Sequence, residues 1–190
     1  MSKVTLVTGG ARSGKSVYAE KLAQESGGMQ VLYVATATIV DEEFAQRVKA
    51  HKARRPASWE TEERYKDFAA LRDVEAFQRA KTILLDCMGF ALNNAFYDIL
   101  ADWNDPSEQE LTLAEGNLYH EIKALIEICR SENKNLIMVT NEVGDSLIPE
   151  TRIARAYRDA LGRSNCLAAS LSDSVILMTC GLPLELKESK

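Results

Sequence analysis

The sequence lacks the cysteine and histidine patterns of disulfide-rich and zinc-binding proteins. Its four cysteines, Cys87, Cys129, Cys166 and Cys180, form no Cys-x-x-Cys pair, and the chain has two histidines. This spacing argues against a structural zinc site. Cys87, Cys129 and Cys180 lie in apolar runs and are expected to be buried free thiols. Because free thiols indicate a reducing compartment, we expect the protein to be cytoplasmic.

Long apolar runs and an excess of positive charge are also missing. No run reaches the ~18 apolar residues of a membrane span. Residues 1–10, MSKVTLVTGG, contain no apolar core of a signal peptide. The formal net charge is −5, whereas general attraction to nucleic acids or anionic lipids needs a broad basic surface. We therefore expect neither a membrane span nor a nucleic-acid partner.

What the chain does contain is an alternation of apolar, β-branched runs with helical segments. The alternation predicts a mainly parallel sheet with helices on both faces. Pro106 and Pro149 are expected to mark loops, so residues 1–190 are interpreted as one domain. The predicted strands are residues 4–8, 31–37, 82–88, 135–144 and 174–181. The predicted helices are residues 16–25, a segment from Asp41 that ends at Pro56, 66–80, a region after 88, 111–131 and a segment beginning near 150.

A complete phosphate-binding motif, G-x-x-x-x-G-K-[ST], follows the first predicted strand and opens the first predicted helix. Its glycines let successive backbone N–H groups face one anion, and the helix N-terminus favours negative charge. The same pattern also occurs as a turn without a ligand, but the flanking strand and helix favour a nucleotide site. The predicted nucleotide-binding residues are Gly9, Gly10, Ala11, Arg12, Ser13, Gly14, Lys15 and Ser16. Lys15 is expected to reach the β- and γ-phosphates.

A nucleotide site of this kind uses an acid at the end of another strand to hold the metal. Asp86 ends the apolar run TILL at residues 82–85 and fits this position. Ser16 and Asp86 are therefore the predicted Mg²⁺ ligands. The alternative is that Asp86 caps the helix that follows it.

The basic segment RVKAHKARRP, residues 47–56, surrounds one of the two histidines, His51, with cations. A neutral imidazole can attack phosphorus, and nearby cations would lower its pKa and offset the charge of a phosphate. By spacing alone, a histidine at the end of a solvated basic helix explains the segment better. Trp59, which follows it, either stacks on a base or packs in the core. His120 is interpreted as part of an amphipathic helix.

Four stretches, in order and with matching spacing, carry a resemblance to a known family. They are LVTGGARSGKS (6–16), HKARRPASWETEE (51–63), ILLDC (83–87) and VTNEVGDSLIPETRIARAYRDALGRSN (139–165). With them the sequence resembles the bifunctional adenosylcobinamide kinase / adenosylcobinamide-phosphate guanylyltransferase family of cobalamin synthesis. The likeness covers nearly the whole chain. The stretch SEQELTL (107–113) matches nothing in the family, so the corrinoid contacts stay undetermined.

The resemblance implies a three-layer, RecA-like P-loop NTPase fold and a homo-oligomer, with a trimer suspected. It also implies two reactions that use ATP or GTP with Mg²⁺. A nucleoside triphosphate phosphorylates adenosylcobinamide, and GTP then gives GMP, through a histidine, to the resulting corrinoid phosphate. The residues that the resemblance assigns to the nucleotide site, besides the P-loop, are Thr36, Ala37, Thr38, Lys52, Ala53, Arg54, Arg55, Glu63 and Asp86. The implied catalytic residues are His51, as the guanylylated nucleophile, and Lys15.

Two other functions remain open at this point. The first is a P-loop kinase of another small molecule, in which His51 has no role. The second is a RecA-like NTPase that binds nucleic acid. The acidic net charge and the lack of a one-sided basic face argue against the second.

Overall fold

The computed structural model describes residues 2–38, 42, 46, 49 and 52–188. Strands are interspersed with helices along the described part of the chain. In chain order the elements are β1 (Val4–Gly9), α1 (Lys15–Gly27), β2 (Val31–Ala35), β3 (Glu60–Glu63), a 3₁₀ helix (Phe68–Asp73), α2 (Glu75–Arg79), β4 (Thr82–Asp86), α3 (Met88–Ile99), α4 (Glu108–Ser131), β5 (Asn135–Val139), α5 (Arg152–Leu171), β6 (Ser174–Thr179) and β7 (Leu182–Lys187). Residues 52–54, just before Arg55, are helical as well.

All the strands join one seven-stranded sheet in the order β3-β2-β4-β5-β1-β6-β7. Neighbouring strands are parallel except β6 and β7, which are antiparallel. Helices cover both faces, so the predicted three-layer α/β class is confirmed. Among the described residues, none of the helices has the length and apolar character needed to span a membrane.

The two faces of the sheet follow from the alternation of side chains along each strand. Leu6, Leu85 and Met138 face a large apolar core formed with α3, α4 and α5. On the opposite face, Val7 and Leu84 pack with buried residues of α1. Each central strand is therefore apolar on both sides, as a parallel sheet covered by helices requires.

The polar loop before α4 and the loop before α5 both end in helix caps. The Ser107 hydroxyl accepts the Glu110 N–H, and the Glu110 carboxylate accepts the Ser107 N–H, which forms a capping box. The Thr151 hydroxyl accepts the Ala154 N–H at the start of α5. These caps fix where the two long helices begin.

The sequence pattern does not predict β3 or β7. The sequence of β3, ETEE, has no apolar alternation, and β7 is exposed along its whole length. Both are edge strands, and they are held by backbone pairing to β2 and β6.

The predicted strand 174–181 ends at Thr179 in the structure, because Cys180 and Gly181 turn the chain into β7. Cys180 is therefore exposed, and the prediction that it is buried is wrong; Cys87 and Cys129 are buried as predicted.

The predicted helix over 66–80 is also divided. Val74 is extended, and it separates the 3₁₀ helix from the short α2. The Glu121 carboxylate of α4 accepts the N–H groups of Asp67 and Phe68, which fixes the start of the 3₁₀ helix. A contact from a distant helix decides this boundary, so local periodicity does not reveal it.

Candidate functional site

The predicted nucleotide residues meet at one edge of the sheet. Because β1 to β6 run parallel, their carboxyl ends share that edge, which is where ligands bind in open α/β sheets. Gly9 ends β1, Glu63 ends β3 and Asp86 ends β4. Ala35, at the end of β2, pairs with both Glu63 and Asp86. Thr36 and the P-loop continue from this edge.

The P-loop turns tightly against the end of β6. A Cβ atom added to Gly9 would lie 2.5 Å from the Met178 carbonyl oxygen, so only glycine fits there. Gly14 has φ 93°, the left-handed conformation, and forms the N-cap of α1 without a side-chain cap. The first turn of α1 therefore has no side-chain cap, and an uncapped helix N-terminus favours an anion.

Two neighbouring turns hold the loop in this shape. The Gly181 N–H donates to the Ser13 carbonyl at 3.1 Å, and the Glu142 N–H donates to the Gly9 carbonyl at 3.0 Å. Within the described part of the chain, the buried Ser13 hydroxyl has no hydrogen-bond partner. A bound oxyanion would satisfy such a hydroxyl.

Lys15 lies in the first turn of α1 and folds over the loop. Its ammonium group donates to the Gly10 carbonyl at 3.0 Å. Burial lowers the pKa of Lys15, and the nearby Cys87 and Asp86 act in the opposite direction. The lysine is therefore held close to the loop and within the electrostatic field of Asp86.

Asp86 is oriented by a side chain that the sequence analysis did not single out. The Tyr33 hydroxyl donates to Asp86 Oδ2 at 2.8 Å. Burial and the Asp86 carboxylate raise the pKa of Tyr33, so the phenol stays protonated and remains a donor. The alternative role of Asp86 as a helix cap is not observed, because the N-cap of α3 is Cys87.

Thr36 fixes the backbone beside Asp86. Its hydroxyl accepts the Cys87 N–H at 2.8 Å and donates to the Cys87 carbonyl at 2.7 Å. Its carbonyl accepts from the Asn94 amide at 2.7 Å. Thr36 is buried, and these contacts direct its polar groups to the protein itself. Ala37 and Thr38 follow it at the edge of the sheet.

Ser16 and Asp86 form a donor set that fits Mg²⁺. A hydroxyl and a carboxylate are hard oxygen ligands, and Mg²⁺ in nucleotide sites takes one or two protein groups together with phosphates and water. Over residues 2–38 and 52–188, with 42, 46 and 49, no cluster of three or more His, Cys, Asp or Glu side chains is arranged for a metal. A metal at this edge would therefore depend on the nucleotide to complete its coordination.

The end of the basic segment reaches the same edge. The Arg55 guanidinium carbon lies 3.6 Å from the centroid of the Tyr33 ring. Arg54 forms a 3.5 Å ion pair with Glu20 of α1. Lys52 and Ala53 are exposed. His51 lies outside the described residues.

Glu20 and Tyr33 are the two site residues that the sequence analysis missed. Glu20 is half-buried, one helical turn after Ser16, and burial raises its pKa while Arg54 lowers it. A carboxylate at this i, i+4 position from the P-loop serine is a signal that was available. Tyr33 is the one hydroxyl in the strand VLYVA, but its partner lies on another strand.

Trp59 and Glu63 have different environments. Trp59 is buried, packs against the α1 side of the sheet and donates its indole N–H to the Gly28 carbonyl at 3.0 Å. Its role is therefore packing, and base stacking is not supported. Glu63 is exposed at the carboxyl end of β3.

The stretch 139–165 folds back onto the P-loop strand. The Thr140 N–H donates to the Val7 carbonyl at 3.0 Å. The Thr140 hydroxyl donates to Asn165 Oδ1 at 2.6 Å, and the Asn165 amide donates to the Asn141 carbonyl at 3.0 Å. Residues far apart in this stretch are thus locked together beside the nucleotide edge.

The chain is similar to known proteins over nearly its whole length. The sequence model of the family described as cobinamide kinase / cobinamide phosphate guanyltransferase matches residues 5–186. The bifunctional adenosylcobalamin biosynthesis protein CobU of Escherichia coli (strain K12) is 38% identical over 182 residues, which are 96% of this chain and 98% of the relative. CobU of Salmonella typhimurium is 39% identical, and the match again covers 96% of this chain and 98% of the relative. CobP of Pseudomonas aeruginosa is 37% identical over 96% of each chain.

The solved structures that match the chain are more distant in sequence. The flagellar accessory protein FlaH from Methanocaldococcus jannaschii matches with a TM-score of 0.46 and 16% sequence identity. The match covers 98% of this chain and 79% of the FlaH chain. A KaiC-like protein from Pyrococcus horikoshii has a TM-score of 0.47 and 17% identity, with 92% and 70% covered.

Proposed function

Because the chain belongs to the cobinamide kinase / cobinamide phosphate guanyltransferase family, it is a bifunctional transferase of cobalamin biosynthesis, and we propose that one nucleotide pocket serves both reactions. The pocket is the carboxyl edge of the sheet between the P-loop and Asp86. The observation that supports a shared pocket is the stacking of Arg55 on Tyr33. Since Tyr33 also binds Asp86, the basic segment and the metal carboxylate meet at one side chain.

In the first reaction, the γ-phosphoryl group of a nucleoside triphosphate passes to a hydroxyl of adenosylcobinamide. The bond between the γ-phosphorus and the bridging oxygen breaks, and a nucleoside diphosphate leaves. The P-loop N–H groups and Lys15 hold the phosphates and offset the charge that develops on them. Bound Mg²⁺, held by Ser16 and Asp86, would neutralise charge on the phosphates. Positioning and charge stabilisation carry this step.

In the second reaction, an imidazole nitrogen of His51 attacks the α-phosphorus of GTP. The bond to the β-phosphate breaks, pyrophosphate leaves and a histidine–GMP phosphoramidate forms. A phosphate oxygen of adenosylcobinamide phosphate then attacks the same phosphorus, the P–N bond breaks and adenosylcobinamide-GDP is released. Lys52, Ala53, Arg54 and Arg55 surround the incoming GTP, and the arginines offset its charge. Glu63, at the end of β3, takes part in nucleotide recognition.

We further propose that residues 1–190 act as one domain, because a single sheet includes strands from Val4 to Lys187. The acidic net charge supports a function without nucleic acid. The four unpaired thiols support a cytoplasmic protein. A homo-oligomer, a trimer by likeness to the family, completes the proposal, and light scattering on the purified protein tests it.

A label-transfer experiment tests the proposed function. The protein is incubated with α-labelled GTP and Mg²⁺, and then chased with adenosylcobinamide phosphate. We expect a protein-bound label that is acid-labile and base-stable, as a phosphoramidate is, and its transfer to the corrinoid. The rival small-molecule kinase with an idle His51 predicts no protein-bound label. Release of the label as free GMP in the presence of the acceptor would also contradict the proposed order of steps.

A further inference from the structure

Tyr33 lies between the two parts of the proposed site. It is in β2, its side chain is 5% exposed, and its ring packs on the α1 side of the sheet. Its hydroxyl is 2.8 Å from Asp86 Oδ2, and the Arg55 guanidinium carbon is 3.6 Å from its ring centroid. One side chain thus contacts both the carboxylate assigned to the metal and the segment that follows His51.

The register of the sheet explains why this phenol reaches Asp86. Tyr33 pairs with Leu84, and Asp86 lies two residues further along β4 on the same face. A donor on one oxygen of a carboxylate fixes the plane of the group and leaves the lone pairs of the other oxygen for a cation.

The ring has a separate role toward the basic segment. A planar guanidinium stacked on an aromatic face is held by cation–π attraction, which an ammonium group does not reproduce with the same geometry. Arg55 is also 3.5 Å from the Thr61 hydroxyl of β3, and Arg54 pairs with Glu20 of α1. These contacts attach the end of the segment to three different elements around Tyr33.

We propose that Tyr33 is a positioning residue for both reactions. Its hydroxyl orients Asp86 toward the nucleotide-bound metal, and its ring holds Arg55 at the end of the basic segment, residues 47–56. The inference rests on the proposed roles of Asp86 and His51. It predicts that the two functions of Tyr33 are separable, because one belongs to the hydroxyl and the other to the ring.

Tyr33→Phe removes the hydroxyl and keeps the ring. Loss of a hydrogen-bond partner behind a metal ligand typically costs 10–100-fold in metal affinity or activity. We therefore expect the Mg²⁺ concentration at half-saturation to rise about 10-fold or more in this variant. The measurement is the fluorescence of a mant-labelled α,β-methylene GTP titrated with Mg²⁺, since this analogue blocks guanylyl transfer. Both catalytic rates should show the same shift in Mg²⁺ dependence.

Tyr65→Phe is the matched control. The Tyr65 hydroxyl also binds a carboxylate, that of Asp98, at 3.3 Å, and lies outside the proposed site. Its loss should leave the Mg²⁺ titration unchanged.

Arg55→Lys tests the role of the ring, because it keeps the positive charge and removes the planar group that stacks on the ring. We expect slower labelling of the protein by α-labelled GTP.

Asp86→Asn separates failure of this inference from failure of the proposed function. If Asp86→Asn raises the Mg²⁺ midpoint and Tyr33→Phe does not, the inference is wrong and the proposed function stands. If Asp86→Asn leaves the midpoint unchanged, both the metal role of Asp86 and the inference are wrong. If the Arg55→Lys variant is labelled at the wild-type rate, the proposed role of the ring in holding Arg55 is wrong.

Discussion

The Lys15 ammonium group donates a hydrogen bond to the carbonyl oxygen of Gly10, 3.0 Å away and within the same P-loop. The lysine is therefore already folded toward the phosphate cradle, and its burial lowers its pKa. If Lys15 holds the nucleotide phosphates as proposed, a bound nucleotide replaces this internal contact with one to its own phosphates. The kinase and guanylyl-transfer steps both depend on this lysine if they share the cradle.

Lys15→Ala should therefore impair both reactions. Removing one preorganised charge contact typically costs 10²–10³ in rate, so we expect each kcat to fall by about 10² or more. Assays of adenosylcobinamide phosphorylation and of protein labelling by GTP measure the two losses. Lys21→Ala is the control, because Lys21 is exposed on the same helix and pairs with Glu25. A loss confined to one reaction would contradict the shared cradle.

Two glycine substitutions should have opposite effects on the protein. Gly9→Ala places a Cβ atom 2.5 Å from the Met178 carbonyl oxygen, so we expect weaker nucleotide binding and a lower Tm. Gly116→Ala lies in α4 with open space around it, and should stabilise the fold by about 0.5–1 kcal/mol. Thermal unfolding and mant-GTP binding test both. Equal Tm values for the two variants would contradict the close packing of Gly9.

The ion pair between α4 and α5 predicts a pH-dependent stability. Arg163 forms two 2.7 Å hydrogen bonds with the Glu115 carboxylate. This contact lowers the pKa of Glu115, so its contribution is present above the unfolded-state pKa and is lost as the pH falls through the lower folded-state pKa.

Urea unfolding of wild type and Arg163→Gln tests that contribution. We expect wild type to be more stable at pH 7, and the difference to shrink on acidification below the usual range of a glutamate. Arg72→Gln, which removes an exposed 3.6 Å pair with Glu132, is the control and should show a smaller difference at pH 7. A difference that is constant with pH would contradict the assignment.

The four cysteines should react at very different rates. Burial raises the pKa of Cys87 and of Cys129 to about 12, whereas Cys166 and Cys180 are exposed. Because the thiolate is the reactive form, a thiol reagent at pH 8 should modify Cys166 and Cys180 rapidly in the folded protein. Cys87 and Cys129 should react only after unfolding. Mass spectrometry of digested protein identifies the modified sites, and rapid modification of Cys87 would contradict its burial.

Those parts of the candidate site that depend on local chemistry can be recognised in the sequence. The P-loop is a contiguous motif between a strand and a helix, and Asp86 directly follows an apolar run. Both can therefore be recognised from neighbouring residues in the sequence. Tyr33 was not singled out, because in VLYVA it resembles a core residue. Its partner is set by the register of β2 on β4, which no local pattern reveals.

The same distinction explains the errors in the fold. The central strands are apolar on both faces and were found, whereas β3 and β7 are exposed edge strands held by backbone pairing. The apolar run of β6, which Cys180 follows, predicts a buried Cys180. In the structure it occupies the left-handed turn into β7, with φ 52°, and is exposed. Trp59 is a core residue, and its sequence neighbours alone left that open.

The most direct measurement of the central claim is single-turnover labelling by α-labelled GTP of two histidine variants. His51→Ala should give no acid-labile label while it retains adenosylcobinamide phosphorylation, because its P-loop is unchanged. His120→Ala, which removes the other histidine, should be labelled as wild type is. Labelling of His51→Ala at the wild-type rate would contradict the account.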